Sequence, residues 1–302
     1  MKKKILICGA TGFLGKNIYD RLKDKYDVTG VGFRGESDVQ ADLRRTEDVE
    51  RVVKGKDVII QVAATSTGVK DIIERPYIHV TDNAIMNSLL LRSAFENNVE
   101  HFIFPSCTNV YPSSDIPHKE TDETGPHEKY QGGGGTKVYL EKMCKFYSGL
   151  GRTTHTVMRH SNIYGPYDNF DLKTSHVCAA KINEVTGTSE GDKVIIWGDG
   201  KEKRDLLYVD DFVDFVELAV QNKLDGVYNV GSGDAISISD LTQKVIDVSG
   251  KDLQLAYDPS KPTIKMNLSL DCSKANGVGW TQKTSLEEGI KKTLDWYNAN
   301  IL

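Results

Sequence analysis

Short apolar runs alternate with helical stripes along the first half of the chain. Leu14, Ile18 and Leu22 recur every four residues, which is the spacing of one face of a helix. The apolar runs between such stripes are nearly continuous, as expected for strands that are covered on both faces. This alternation predicts an α/β fold built on a doubly wound parallel sheet. The predicted strands are Lys4–Cys8, Val28–Val31, Val58–Val62, His101–Phe104 and Thr156–Arg159.

The alternation becomes less regular beyond Gly165. Gly165 and Pro166 open a polar stretch, Tyr167–Ser175, that is typical of a loop. Shorter elements follow, including a strand at Val194–Trp197 and a returning strand at Val227–Val230. They predict a smaller α/β lobe toward the C-terminus. The expected division is a large domain of residues 1–165 plus 206–232 and a smaller lobe of residues 166–205 plus 233–302.

Composition and charge exclude several classes of protein. The 302 residues are 39% hydrophobic and 27% charged, which is typical of a globular chain. A net charge of −5 without a basic stripe argues against a nucleic-acid partner. No stretch approaches the roughly 18 apolar residues of a membrane span, so no membrane partner is expected. The scattered cysteines lack CxxC spacing, which predicts a reducing, cytoplasmic compartment and no metal site; they are Cys8, Cys107, Cys144, Cys178 and Cys272.

A glycine-rich turn follows the first predicted strand and opens the first predicted helix. Glycine there permits a tight turn, lets the backbone approach a pyrophosphate and allows close packing of helix on strand. The free amides at the start of the helix attract phosphate. The turn therefore predicts a Rossmann-like dinucleotide site, the alternative being a glycine-rich turn without a ligand. The residues expected at the cofactor are Gly9, Thr11, Gly12, Phe13, Leu14 and Gly15.

The end of the second predicted strand indicates which dinucleotide is bound. An acidic residue there would accept a hydrogen bond from a ribose 2′-hydroxyl, whereas this chain has Arg34. A planar guanidinium suits a 2′-phosphate, so the sequence favours NADP over NAD. NAD stays open, because Arg34 could equally be a solvated loop charge. Asp42 and Leu43 are expected near the adenine, and Ala63 and Ala64 near the middle of the cofactor.

Further motifs extend over almost the whole chain: ADL at 41–43, TKVYLE at 136–141, SNIYGP at 161–166, LLYVDD at 206–211 and YNVGSG at 228–233. Together with the glycine turn they resemble the extended short-chain dehydrogenase/reductase family, which contains nucleotide-sugar epimerases, dehydratases and reductases. The resemblance implies that the large domain binds NADP or NAD and that the smaller lobe binds a nucleotide-sugar. It also implies a homodimer, formed through the helices near residues 83–98 and 137–150.

Within that family the chain is most similar to the GDP-L-fucose synthases, which are NADP-dependent 3,5-epimerases and 4-reductases. The similarity rests on residues 162–170, Ser-His-Val at 175–177 and Trp-Gly-Asp-Gly at 197–200. It implies an NADP-dependent epimerase/reductase that acts on a GDP-linked 4-keto hexose. Two alternatives remain open: a redox-neutral 4-epimerase or 4,6-dehydratase that keeps its NAD(P) tightly held, and a cofactor- and sugar-binding protein whose catalysis is degraded.

The family's Tyr-x-x-x-Lys pair is incomplete in this chain. Lys137 matches the lysine that anchors the ribose and tunes the phenol, but Gly133 stands where the tyrosine is expected. The nearest phenol is Tyr130. Because four consecutive glycines disfavour a helix, a flexible turn could fold Tyr130 back toward the nicotinamide. The alternative is that Tyr130 packs at the rim of the cleft, while water or another acid serves as the proton donor.

The resemblance places Cys107 where the family has a catalytic Ser or Thr. Thr108 or Ser106 could supply the hydroxyl instead. His176 matches the histidine that acts with a cysteine in 3,5-epimerisation, so Cys107 and His176 are candidates for the acid and base. Thiolate and imidazole both suit proton abstraction beside a ketone near neutral pH. Cys107 as an inert buried residue is an equal alternative, and His176 could be a plain helix-start residue.

The substrate end is expected in the smaller lobe. A nucleotide-sugar needs an aromatic or apolar wall for its base and cations for its diphosphate. Trp197 and Arg204 are candidates from the family match, and Lys181 and Lys283 from position only. The match in SNIYGP adds Asn162 for the substrate, with His160 and Ile163 beside the cofactor.

Overall fold

The computed structural model describes residues 2–65, 75–261, 263 and 265–302. Its centre is a sheet of seven parallel strands, as the sequence predicts. In chain order these are β1 (Lys4–Cys8), β2 (Asp27–Gly32), β3 (Val39–Gln40), β4 (Val58–Gln61), β5 (His101–Pro105), β6 (Thr154–His160) and β10 (Gly226–Val230). Across the sheet they lie in the order β10-β6-β5-β4-β1-β2-β3, so the winding direction reverses between β1 and β4.

Both faces of the sheet are covered by helices. Ile5 and Ile7 of β1 belong to one buried cluster, and the alternate residues Leu6 and Cys8 belong to the other. This division is the physical reason for the continuous apolar runs in the sequence. Helices α1 (Phe13–Leu22) and α6 (Val209–Asn222) pack into the first cluster. Helices α2 (Thr46–Val53), α3 (Thr81–Glu96) and α4 (Gln131–Gly149) pack into the second.

Two small sheets lie beside the large one. Strands β7 (Asn162–Tyr164), β9 (Lys203–Tyr208) and β11 (Ala235–Ser237) form the first, and β8 (Lys193–Trp197) pairs with β12 (Gln254–Asp258) in the second. The accompanying helices are α5 (Val177–Gly187), α7 (Ile238–Ser249), α8 (Ser273–Gly277) and α9 (Leu286–Asn300). None of the helices in the described part of the chain is long and apolar enough to cross a membrane.

The glycine run does not form the flexible turn that the sequence suggests. Gly132–Gly135 lie in the first turns of α4, and Tyr130 ends a short 3-10 turn directly before it. Packing explains the difference, because tertiary contact overrides weak helix propensity. A Cβ atom on Gly134 would lie 2.5 Å from the backbone oxygen of Asn109, so the helix start can approach that loop only without a side chain there.

Candidate functional site

A cleft of about 440 Å³ opens where the parallel strands end. Gly9 follows β1, Val62 follows β4, Ser106 follows β5 and Ser161 follows β6, and all four line the cleft. The cleft therefore spans the carboxyl edge of the sheet at the point where its winding direction reverses. Open α/β sheets bind ligands at this point.

The glycine turn builds one end of the cleft. Gly9 has a φ of +84°, and a Cβ atom on it would lie 2.7 Å from the Cα atom of Ala63. A Cβ atom on Gly15 would overlap the backbone oxygen of Gly9. Gly12 caps α1 without a side-chain hydrogen bond, and no acidic residue lies in the first turn. Backbone amides and the positive end of the helix dipole therefore face a groove, and the glycines keep this groove free of side chains. Such a groove fits a pyrophosphate.

Most of the predicted cofactor residues line this cleft. They are Gly9, Gly12, Phe13, Leu14, Gly15, Ala63, Ala64, Lys137, His160 and Ile163. Thr11 lies just outside it and packs against the end of β2, where a Cβ atom on Gly32 would lie 2.8 Å from its methyl group.

Three further predicted cofactor residues lie outside the cleft. Arg34 is exposed, and its guanidinium lies 5.4 Å from the centre of the Phe33 ring. Asp42 accepts hydrogen bonds of 2.8 Å and 3.0 Å from the guanidinium of Arg44. Leu43 is buried in the core beneath. Only Arg34 among these presents a charge that is open to a ligand near the end of β2.

Lys137 projects from α4 into the middle of the cleft. Its ammonium donates a hydrogen bond of 2.6 Å to the backbone oxygen of Pro105 and lies 4.5 Å from the centre of the Phe104 ring. Burial lowers the pKa of Lys137, and the neighbouring Cys107 and Glu141 oppose that shift. The lysine is thus held at the end of β5, where it can hydrogen-bond a bound group.

Gly133 lies one helical turn before Lys137 and lines the cleft. A Cβ atom on this residue would meet no other atom within 4 Å. The space beside Gly133, where the sequence resemblance predicts a tyrosine, is therefore open.

Tyr130 also lines the cleft. The ring packs beside a small cluster that contains Val110 and Leu268. Burial raises the pKa of Tyr130, the charge of Arg204 lowers it and Cys107 raises it. The phenol is thus influenced by Arg204 and Cys107 and stays protonated near neutral pH.

Cys107 and Thr108 lie at the end of β5 and line the cleft. Burial raises the pKa of the Cys107 thiol, and the Lys137 ammonium lowers it. Thr108 begins a short 3-10 turn and is 4% exposed. The two side chains lie at the same strand end as the lysine contact with Pro105.

Ser106 belongs to a buried hydrogen-bond network that the sequence pattern does not predict. Its hydroxyl donates a hydrogen bond of 2.5 Å to Glu141, and Glu141 receives the guanidinium of Arg159 at 2.7 Å. Arg159 also donates to the hydroxyl of Tyr111 at 2.8 Å. The only sequence signal is that Glu141 follows Lys137 by four residues, which places it on the same helix face. The network supports the floor of the cleft beneath Lys137.

His176 lies at the start of α5 with its ring in the cleft. Although the side chain is accessible, the surrounding protein lowers its pKa by desolvation. The imidazole is therefore neutral near pH 7, as a base must be.

Of the predicted substrate residues, only Asn162 lines the cleft, where its amide donates to the backbone oxygen of Asp205 at 3.2 Å. Lys181 is buried and paired with Glu184 at 2.6 Å, and Lys283 is paired with Asp214 at 2.7 Å. Trp197 is half-exposed on β8. Arg204 donates to the backbone oxygens of Lys203 and Met266.

Known protein sequences match most of this chain. Residues 5–231 match the model of the NAD dependent epimerase/dehydratase family. GDP-L-fucose synthase of Azorhizobium caulinodans is 29% identical over 98% of this chain and 96% of its own length. GDP-L-fucose synthase of Escherichia coli K12 is 28% identical over 99% of this chain and 98% of its own length.

Solved structures share the fold over the full chain. UDP-glucose 4-epimerase of Thermotoga maritima, solved with UDP-glucose, has a TM-score of 0.87 and 26% identity and covers 99% of this chain and all of its own. A GDP-6-OMe-4-keto-L-xylo-heptose reductase from C. jejuni has a TM-score of 0.88 at 22% identity and covers 99% of this chain and 98% of its own.

Proposed function

The chain belongs to the NAD-dependent epimerase/dehydratase family, and from that premise we propose that it is an NADP-dependent nucleotide-sugar epimerase/reductase that acts on a GDP-linked 4-keto hexose. The observation that carries the proposal is a single cleft in which the glycine turn, Lys137, Cys107 and His176 meet. Similarity to two GDP-L-fucose synthases along nearly the whole chain supports a GDP-linked sugar, and the 4-keto group rests on the sequence resemblance.

The cofactor would lie along the carboxyl edge of the sheet. The amides at the start of α1 would hold its pyrophosphate, and Arg34 beside Phe33 would hold the 2′-phosphate that distinguishes NADP from NAD. The reduced nicotinamide supplies hydride when bound. Lys137, fixed by Pro105, would anchor the ribose next to it.

The proton for the C4 oxygen would come from Tyr130 or from the hydroxyl of Thr108. Tyr130 is suited to donate, since its raised pKa keeps the phenol protonated at neutral pH. The cation that lowers its pKa is Arg204, and Lys137 is not among the charges that shift it, so the phenol is not paired with the lysine as in Tyr-x-x-x-Lys. We therefore expect slower reduction than a complete Tyr-x-x-x-Lys pair would give.

Cys107 and His176 would exchange the protons at C3 and C5. Protons beside the C4 ketone are acidified by the carbonyl, so a base of near-neutral pKa can remove them. The neutral imidazole of His176 can accept a proton, and the protonated thiol of Cys107 can return one.

The test is to incubate the purified protein with NADPH and a GDP-linked 4-keto hexose, following nicotinamide absorbance and identifying the product by NMR. We expect NADPH to be consumed and the product to be epimerised and reduced. Tyr130→Phe should lower kcat about 10²-fold with folding intact, because removal of a general acid costs 10²–10⁴-fold. Unchanged turnover of this variant would exclude Tyr130 as the donor.

A redox-neutral 4-epimerase is the second candidate, favoured by the likeness to the T. maritima UDP-glucose 4-epimerase. Such an enzyme should co-purify with its dinucleotide and consume no free NADPH. A panel of GDP-, UDP-, dTDP- and CDP-sugars distinguishes the two. Binding without conversion of any member would indicate a protein whose catalysis is degraded.

The remaining parts of the proposal concern assembly and location. We propose a homodimer through α3 and α4, which together expose Ile85, Tyr139 and Phe146. The division into domains of residues 1–165 plus 206–232 and 166–205 plus 233–302 and the cytoplasmic location also stay proposals.

A further inference from the structure

The loop between β7 and α5 carries a carboxyl group for which the proposed mechanism has no role. Asp168 lines the cleft together with Asn169, Thr174 and His176 of the same segment. The backbone N–H of Asn169 donates to Asp168 Oδ1 at 2.7 Å, and the Asn169 amide donates to the Thr174 hydroxyl at 2.7 Å. These bonds fix the loop with Asp168 at the cleft wall.

The second oxygen of Asp168 is unpaired. The residue is 8% exposed, and its Oδ2 is buried without a hydrogen-bond partner among the described residues. A buried polar atom that lacks a partner is costly, so its retention calls for a reason. Burial raises the pKa of this carboxyl to about 7. Such a group at a cleft wall is typical of a functional residue.

The chemistry of the carboxyl group restricts what can satisfy it. A carboxylate repels a diphosphate, so the nucleotide end of a substrate does not suit it. A hydroxyl group can donate to it, and a hexose carries several. His176, which lines the same wall, is placed by the proposed mechanism at the carbons next to C4 of that hexose.

We propose that Asp168 is a substrate-binding residue that accepts a hydrogen bond from a hydroxyl of the hexose. The proposal rests on the proposed function, since it requires a nucleotide-sugar in the cleft. It assigns sugar selectivity to the loop of residues 165–176, whereas the sequence predicts the base and diphosphate at Trp197 and Arg204, outside this loop.

The test measures binding of GDP-mannose, and of GDP as the same nucleotide without the sugar, to the NADPH-loaded protein by calorimetry. Asp168→Asn and the smaller Asp168→Ser are compared with Asp171→Asn, a matched control in the same loop. Asp171 is exposed, does not line the cleft and accepts a hydrogen bond from the backbone N–H of Lys173 at 2.9 Å. NADPH binding of each variant reports that its cleft is folded.

We expect both Asp168 variants to bind GDP-mannose about tenfold more weakly, with GDP and NADPH affinities within twofold of wild type. If the two Asp168 variants bind GDP-mannose as tightly as Asp171→Asn does, the proposed role of Asp168 is overturned, while the proposed function is unaffected. A loss confined to NADPH would also overturn that role, because the carboxyl would then serve the cofactor. Wild-type protein that binds NADPH but neither GDP nor GDP-mannose would overturn the GDP-linked function, and this inference with it.

Discussion

Gly133 is the residue at which the family resemblance implies the largest departure, because it stands where that resemblance places a tyrosine. Around it, Lys137 is fixed on Pro105, and Cys107 and Thr108 line the cleft at the same strand end. Because a Cβ atom on Gly133 meets nothing within 4 Å, no packing requirement explains the glycine. Substitution of Gly133 therefore tests directly whether a phenol at this position limits the reaction.

Gly133→Tyr should raise kcat for NADPH-dependent reduction at least tenfold, since it restores a phenol one turn before Lys137. Gly133→Phe is the matched control, because it adds the same ring without the hydroxyl. Both should raise the free energy of unfolding by roughly 0.5 kcal/mol, because glycine is a poorer helix former than either aromatic residue. Steady-state kinetics and urea unfolding give the two measurements; equal kcat values for the two variants would show that the missing phenol does not limit turnover.

Arg34→Ala should weaken NADPH binding about tenfold and leave NADH binding unchanged, because only NADPH carries the 2′-phosphate. Arg45→Ala, which removes a side chain that is 68% exposed, is the control for the loss of one exposed positive charge. Fluorescence titration of both nucleotides provides the measurement. An equal loss for NADPH and NADH would contradict the assignment of Arg34 to the phosphate.

At the scale of elements, the prediction from the sequence pattern was wrong for the start of helix α4. Its four glycines suggested a flexible turn, whereas the structure has them helical. Two of them face different surroundings: Gly134 faces the backbone of Asn109, and the nearest neighbour of a Cβ atom on Gly135 is the Gln131 side chain at 3.7 Å. Of these neighbouring glycines, Gly134 has no room for a side chain, whereas Gly135 does.

Gly134→Ala should lower the free energy of unfolding by about 1–3 kcal/mol, because its Cβ atom would lie 2.5 Å from a backbone oxygen that must shift. Gly135→Ala should raise it by about 0.5–1 kcal/mol, since the new methyl group makes only ordinary contacts. Urea unfolding of the two variants measures both effects. Stabilisation by both substitutions would show that the helix start does not need the close approach at Asn109.

At the scale of the whole molecule, buried histidines in the central sheet couple folding to pH. His155 on β6 is 2% exposed and packs beside Phe102 at 5.7 Å. Desolvation lowers its pKa from 6.5 to about 4. The unfolded chain therefore binds a proton below pH 6.5, whereas the folded protein does so only near pH 4.

The free energy of unfolding should consequently fall as the pH is lowered from 6.5 toward 4, by on the order of 3 kcal/mol from His155. His155→Leu should flatten this dependence over the same window, because the proton-binding group is removed. Urea unfolding at intervals between pH 7 and pH 4 provides the comparison. Parallel pH profiles for the variant and wild type would contradict a neutral His155 in the folded state.

Local periodicity was enough to predict the parallel sheet, because strands that are covered on both faces appear as contiguous apolar runs. The glycine turn and the other motifs are also contiguous in the sequence, and the resemblance that they carry predicted the family. The exposed space at Gly133, the buried Ser106–Glu141–Arg159 network and the unpaired oxygen of Asp168 arise between residues that are distant in the chain. The helical state of the glycine run was likewise decided by contact with Asn109. Burial and pairing of that kind depend on how helices, strands and loops pack together, and only the tertiary structure specifies that packing.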